Sequence, residues 1–221
     1  MTRKNLIKSL ANKILSVKKT TPVFIGINGV DGSGKTYLTN ELKNELRNCG
    51  REIITASIDH FHNSREIRYA KGENSAEGYY HDSFNLKILK DVLLNPLSEG
   101  NLEYKTKTFD YKSDSEIFQA NSTASNNSIL LMEGIFLFRK ELVNYWDLKI
   151  FLDVDFKHTV PRAVERDKVK KESKEEQELV DEKYRLRYIP GQKMYLKEAQ
   201  PRECADIVID NSDFDEPRLN I

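Results

Sequence analysis

Hydrophobic positions along this 221-residue chain fall into short unbroken runs, separated by longer stretches in which they recur every three or four residues. The runs at 23–27, 53–58, 129–132, 148–153 and 207–209 read as strands, and the intervening periodic stretches, such as 37–47 and 158–171, read as helices. Near-continuous apolar strands are buried on both faces. Their alternation with helices therefore predicts an α/β fold of three layers, with a mostly parallel central sheet. Ahead of the first strand, Leu6, Leu10 and Ile14 are four apart and form one apolar stripe on a helix placed at 1–20. The first thirty residues contain no acid, as a transit peptide would have it, but the 23–27 strand follows without a spacer, so a docked helix is expected.

Between 63 and 128 the periodicity gives way to Gly, Ser, Asn and Tyr, ending in the polar "NSTASNN", which reads as a surface loop. A substrate lobe would be inserted there, and the acceptor-binding region is placed at 60–127. Between Glu165 and Lys183, 14 of 19 residues are charged with mixed sign. That composition suits a solvated helical face, or a mobile cover over phosphates at 165–190. The whole chain, 1–221, is expected to be one domain.

Lys plus Arg and Asp plus Glu both number 35, so overall charge points to neither nucleic acid nor an anionic membrane. The longest apolar stretch, "ILLMEGIFLF", is broken by Glu133 and is too short to cross a bilayer. A soluble, cytoplasmic protein with two reduced thiols, Cys49 and Cys204, is expected. His60 and His62 are neighbours, but no further His or Cys sits at metal-ligand spacing.

The chemistry concentrates in Gly29-Val-Asp-Gly-Ser-Gly34-Lys35-Thr36, the phosphate-loop pattern of glycine, any four residues, glycine, lysine and a hydroxyl residue. It follows a strand-like run and opens a helical one. Glycines let several backbone N–H groups turn inward as a nest, and the following helix N-terminus adds partial positive charge. Gly29, Asp31, Gly32, Ser33, Gly34, Lys35, Thr36 and Tyr37 are thus candidate nucleotide contacts, with Lys35 on the β- and γ-phosphates and Thr36 in a Mg²⁺ shell. Asp59 and Glu133 end two other strands at the same functional edge. One can join Thr36 on Mg²⁺ while the other, or Asp59 in both roles, accepts a proton from an attacking hydroxyl. A cap on the turn that follows is the lesser alternative for Asp59. Arg162 and Arg166 share a helix face and suit a transferring phosphoryl group, with surface pairing to Glu165 or Asp167 as the alternative. Arg185, Arg187 and Lys193 divide between phosphate contact and helix decoration. The guanine-reading Asn-Lys-x-Asp tetrapeptide of GTP switches is absent from the chain.

In their order, "GVDGSGKT", "SIDHF", "RYAKGENSAEGYYHDSFN", "LLMEGIFL", "DLKIFLDVD", "RAVERD", "YIPGQKMYL" and "ADIVIDNSDFDEP" make the chain resemble the uridine kinase family of P-loop kinases. The resemblance runs from about residue 23 to 217. It implies a nucleoside-monophosphate-kinase-like P-loop fold, an ATP-dependent transfer to a hydroxyl, Asp59 as catalytic aspartate, and Glu133 and Thr36 at the magnesium positions. It further implies Arg162 and Arg166 as phosphate clamps, a lid after Arg166, and an adenine edge near Asp210 and Asn211.

The acceptor half departs from that pattern. His60-Phe61-His62 stands where serine-phenylalanine-tyrosine is usual, and Asp114 and Glu116 stand where His and Arg hold the base. "YYHDSF" replaces the ribose motif, and Lys168, Lys170 and Lys171 replace the lid arginine. Arg68, Tyr79, Tyr80, Asp82, Asp110 and Tyr111 are the candidates for holding a nucleoside-like acceptor, by stacking or by gripping hydroxyls, with core packing the alternative for the tyrosines. Pantothenate-like or sugar-phosphate alcohols are the other acceptors considered, and a nucleotide-binding chain without turnover is the competing function. The sequence leaves a homo-oligomer open.

Overall fold

The computed structural model describes residues 1–169, 171 and 173–220. Five parallel strands form its centre: β1 (Val23–Gly29), β2 (Ile53–Ser57), β3 (Ile129–Gly134), β4 (Leu148–Asp153) and β5 (Ile207–Asp210). A sixth, β6 (Arg218–Asn220), runs antiparallel to β5 at one edge, and the order across the sheet is β6-β5-β4-β1-β3-β2. The α/β expectation is met, and each of the five expected strands is present. The sequence did not suggest β6, because three residues are too few to leave a period.

Alternation of side chains feeds two cores. Phe24, Leu130, Met132, Phe151 and Val208 point to one face, where they meet Tyr79, Tyr80, Phe136, Trp146 and Tyr195. Val23, Ile25, Ile27, Ile129, Leu131, Ile150 and Ile209 point to the other. That second face is covered by α1 (Arg3–Ser16) and α2 (Lys35–Glu45). In α1 the expected stripe is Leu6, Leu10 and Ile14, joined by Ile7 and Ala11, all buried. The Thr2 side chain caps its first turn, and the helix ends at Ser16, short of 20. Truncating the buried Leu10 to alanine would cost about 2–5 kcal/mol.

The first face is covered by α3 (Ala76–Asp82) and α6 (Ile189–Ala199). Around α3 the 63–128 region carries short helices and two small antiparallel pairings, Glu103–Tyr104 with Ser122–Thr123 and Phe109–Asp110 with Ser115–Glu116. The polar segment expected to be loop thus contributes one of these strands. The helix expected at 158–171 is α4 (Phe156–Lys168), capped by the Asp155 carboxylate. A second helix, α5 (Lys174–Lys183), starts on a capping box formed by Ser173 and Glu176. It runs into a π-helical turn, Tyr184–Tyr188, before α6. Lys170, one of the expected lid lysines, lies outside the described residues. Among the described residues, no helix is long and apolar enough to cross a membrane.

Candidate active site

The glycine-rich loop leaves β1 and enters α2 at Lys35. Gly32 and Gly34 adopt φ of 76° and 96°, which L side chains rarely take. Space forbids a side chain too: a Cβ on Gly32 would stand 2.4 Å from the Thr159 carbonyl oxygen, and one on Gly34 2.7 Å from Asn211 Nδ2. The loop is therefore wedged between α4 and Asn211. Asn211 Nδ2 donates to the Ser33 carbonyl at 2.8 Å, and the Asp31 N–H donates to Gln192 Oε1 at 2.6 Å. The buried Lys35 curls back so that Nζ donates to the Val30 carbonyl at 2.8 Å. Gly29 and Ser33 stand behind the loop rather than on the cavity wall. A Cβ on Gly29 would lie 2.6 Å from Ser33 Oγ, so their closeness lets the loop fold back on itself.

The loop forms one wall of a cavity of about 1050 Å³ at the C-terminal ends of β1, β2 and β3. Asp31, Gly32, Gly34, Lys35, Thr36, Tyr37, Asp59, Glu133 and Asn211 all line it. Glu133 pairs in register with Ile27 of β1 and Ser57 of β2, which fixes it beside the loop. The Ser57 and Thr36 side chains near its carboxylate favour the charged form. Burial nevertheless raises its pKa above the ordinary value, against the pull of Lys35, and the Asp59 charge raises it further. Asp59 follows β2 in the short 3₁₀ turn Ile58–Phe61, whose cap is Ser57 rather than Asp59 itself. It is exposed on the cavity; desolvation by the cavity walls and the Asp31 charge raise its pKa, while Lys35, His60 and Arg166 pull it down.

Two carboxylates that discourage each other's ionisation, lining the same cavity as the Thr36 hydroxyl, are a hard-oxygen donor set that suits Mg²⁺. Among the described residues no group of three or more His, Cys, Asp or Glu could hold a metal alone. That fits an ion held by one or two carboxylates together with substrate phosphates.

Arg162 and Arg166 reach the cavity from the same side of α4. Arg162 Nη2 donates to the Ser212 carbonyl at 2.7 Å. Arg166 pairs with Asp167 at 2.9 Å and approaches Asp31 at 3.6 Å, so it combines the expected surface pairing with a link to the loop. The Tyr184 hydroxyl lies 2.9 Å from Asp167 Oδ2 and 3.2 Å from Asp31 Oδ2, and its single proton serves one of them at a time.

On the opposite wall stand three of the six acceptor candidates, Arg68, Tyr79 and Tyr111. The structure does not bring the other three to the cavity. Tyr80 is 1% exposed and packs against Phe136, Tyr195 and the Arg139 guanidinium. Asp82 turns to Lys71 at 3.2 Å, and Asp110 accepts the Lys112 N–H of its own hairpin at 3.0 Å. Asp114, at the position where the family resemblance led one to expect histidine, instead binds Arg68 Nη2 at 2.7 Å and the Arg65 N–H at 2.8 Å.

Sequence reasoning had not placed His62, Tyr69, Phe84, Arg187 and Tyr188 on this wall. The His62 ring lies 4.5 Å from Phe84 and 5.2 Å from Tyr111, and its Nδ1 is 2.8 Å from the Asp59 carbonyl. Burial lowers its pKa to about 4, so the ring is neutral near pH 7. Arg187, 2% exposed, donates to the carbonyls of Arg68, Gly72, Glu73 and Ser75 and lies over the Tyr69 ring at 4.6 Å. The departure of "HFH" from the usual tyrosine was the one available signal for His62; Tyr69 and Tyr188 stand in the motifs "RYAKGENSAEGYYHDSFN" and "YIPGQKMYL", which gave them no role.

A phosphate loop, two strand-end carboxylates and a pair of helix-borne arginines thus face one cavity. The phosphoribulokinase/uridine kinase family model matches residues 24–212. The chain belongs to that family. It is 29% identical over 154 residues to a uridine kinase of Lactobacillus helveticus, an alignment covering 68% of this chain and 70% of that one. A solved structure described as a possible uridine kinase from Bacillus stearothermophilus superposes with a TM-score of 0.70 at 25% identity, over 93% of this chain and 97% of the other. D-glycerate 3-kinase of Cryptococcus neoformans var. grubii shares the fold, with a TM-score of 0.64 at 12% identity over 97% and 99%. The protein is a P-loop kinase, a phosphotransferase with an alcohol group as acceptor and, by its family, ATP as phosphate donor.

Proposed function

We propose that the chain transfers the γ-phosphoryl group of ATP to a primary hydroxyl of a nucleoside-like acceptor. The observation that carries this reading is Asp59, a carboxylate of raised basicity that lines the same cavity as Lys35 and Thr36 and as the aromatic side chains of His62, Tyr79 and Tyr111. The nucleoside class is supported by the relatives named as uridine kinases and by those aromatic faces, which offer stacking planes to a base.

In the transfer, the acceptor oxygen forms its bond to the γ-phosphorus as the bond to the β–γ bridging oxygen breaks. The acceptor proton passes to Asp59, and ADP leaves. Loop amides and Lys35 hold the triphosphate, and Arg162 and Arg166 take up charge on the moving group from the side of α4. Thr36, Glu133 and Asp59 would hold Mg²⁺, which when bound neutralises phosphate charge. The 165–190 segment acts as a lid that keeps water, the competing acceptor, away.

Release of ADP, coupled to a spectrophotometric readout, is measured with pyrimidine nucleosides and with small alcohols such as pantothenate. Stimulation above basal hydrolysis by a nucleoside is the expected result. Stimulation by another alcohol alone would replace the nucleoside reading while leaving the kinase in place.

A further inference from the structure

The P-loop rim of the cavity carries two exposed aromatic side chains, Tyr37 (69% exposed) and Phe214 (41% exposed), with ring centroids 5.9 Å apart. Both line the cavity together with Asn211, which is 1% exposed and bonded to the loop through the Ser33 carbonyl. The residue that ties Asn211 to Phe214 comes from the far end of the chain. Arg3, in the first turn of α1, donates from Nη1 to Asn211 Oδ1 at 2.6 Å. Its Nε and Nη2 grip Glu41 of α2 at 3.0 and 2.6 Å, and its guanidinium lies 4.4 Å over the Phe214 ring. Neither Arg3 nor Phe214 falls within the family-matched residues 24–212.

Arginine offers donors only, in a rigid planar fork. Facing Asn211, it obliges the amide to present its oxygen to Arg3 and its NH₂ to the loop, and it holds the Phe214 ring at the rim at the same time. We propose that Arg3 is a positioning residue for the donor nucleotide: it fixes Asn211 and Phe214 as the wall against which the nucleotide base packs, beside Tyr37. This rests on the reading that the loop takes a nucleoside triphosphate. Because Arg3 acts at the base end, it sets affinity for the nucleoside part of the donor and leaves the phosphate grip and the chemical step alone.

The test is calorimetric titration of the full chain, in the presence of Mg²⁺, with ADP and separately with inorganic tripolyphosphate. Arg3→Met is expected to weaken ADP binding about tenfold, the loss of one hydrogen bond from a charged donor. Tripolyphosphate binding should stay within about twofold, the KM for ATP should rise by the same factor as the ADP constant, and kcat at saturating ATP should hold. If the substitution lowers the melting temperature too far for titration, Arg3→Lys carries the same comparison, since an ammonium cannot serve Asn211, Glu41 and Phe214 together. Unchanged ADP binding would overturn the proposal. So would an equal loss for both ligands, which would make Arg3 a prop for the loop as a whole. A wild-type chain that binds tripolyphosphate but not ADP would overturn it and leave the phosphate site standing; one that binds neither would overturn the proposed function with it.

Discussion

The two halves of the cavity are built by different means. On the phosphate side, the geometry comes from backbone: two glycines at positive φ, a helix that begins at Lys35, and strand ends whose register places Glu133 between β1 and β2. On the acceptor side it comes from side chains delivered by short helices and hairpins, held by single contacts such as Arg68 with Asp114 and Arg187 with four carbonyls. A site made of backbone tolerates few sequences, because only glycine fits where a Cβ would strike Thr159 or Asn211. A site made of scattered side chains can exchange one contact for another, and so drifts with the acceptor it serves.

Substitutions on the two sides should therefore separate. The largest effect is expected for Asp59→Asn, which should lower kcat by ~10² to 10⁴ while ADP still binds, as measured by steady-state turnover beside titration. Near-normal turnover would remove Asp59 from the role of base. Gly32→Ala should weaken ADP binding by about tenfold or more, since the loop must shift away from Thr159 and its amides from the phosphates. On the other side, Asp114→Ala releases Arg68 and should raise the KM for the acceptor by about tenfold, with the KM for ATP unchanged. An equal rise in both constants would mean that the two halves are not separable. The smallest effect is a displacement of pH dependence. Beyond desolvation by the cavity walls, the negative charge of Asp31 raises the Asp59 pKa, so kcat/KM should fall on the acid side above the ordinary aspartate range. Removing that charge in Asp31→Asn lowers the Asp59 pKa and should move the acid limb to lower pH.

The same contrast explains what could be read from the chain. The meeting of Asp31, Gly32, Gly34, Lys35, Thr36, Asp59 and Glu133 at one cavity was legible because a nest needs glycine at set spacing and a parallel sheet presents its strand ends together, whereas Gly29 and Ser33 serve the fold of the loop. Tyr80, Asp82 and Asp110 were chosen for residue type alone, and type does not reveal direction. Tyr80 faces the core, and the two acids satisfy Lys71 and a hairpin N–H that only the folded chain brings near. His62, Tyr69, Arg187 and Tyr188 converge on the cavity from three separated segments, and no local pattern announces such a meeting. Arg3 is the extreme case, more than two hundred residues from the Asn211 amide it fixes.

One residue ties the proposed lid to the cavity wall. Arg187 leaves the π-helical turn at the foot of α5 and holds the 68–75 segment by its carbonyls, with Tyr69 beneath it. Any tilt of α5 must drag that segment along or break four hydrogen bonds at once. A lid closing over the phosphates would therefore carry that part of the cavity wall with it.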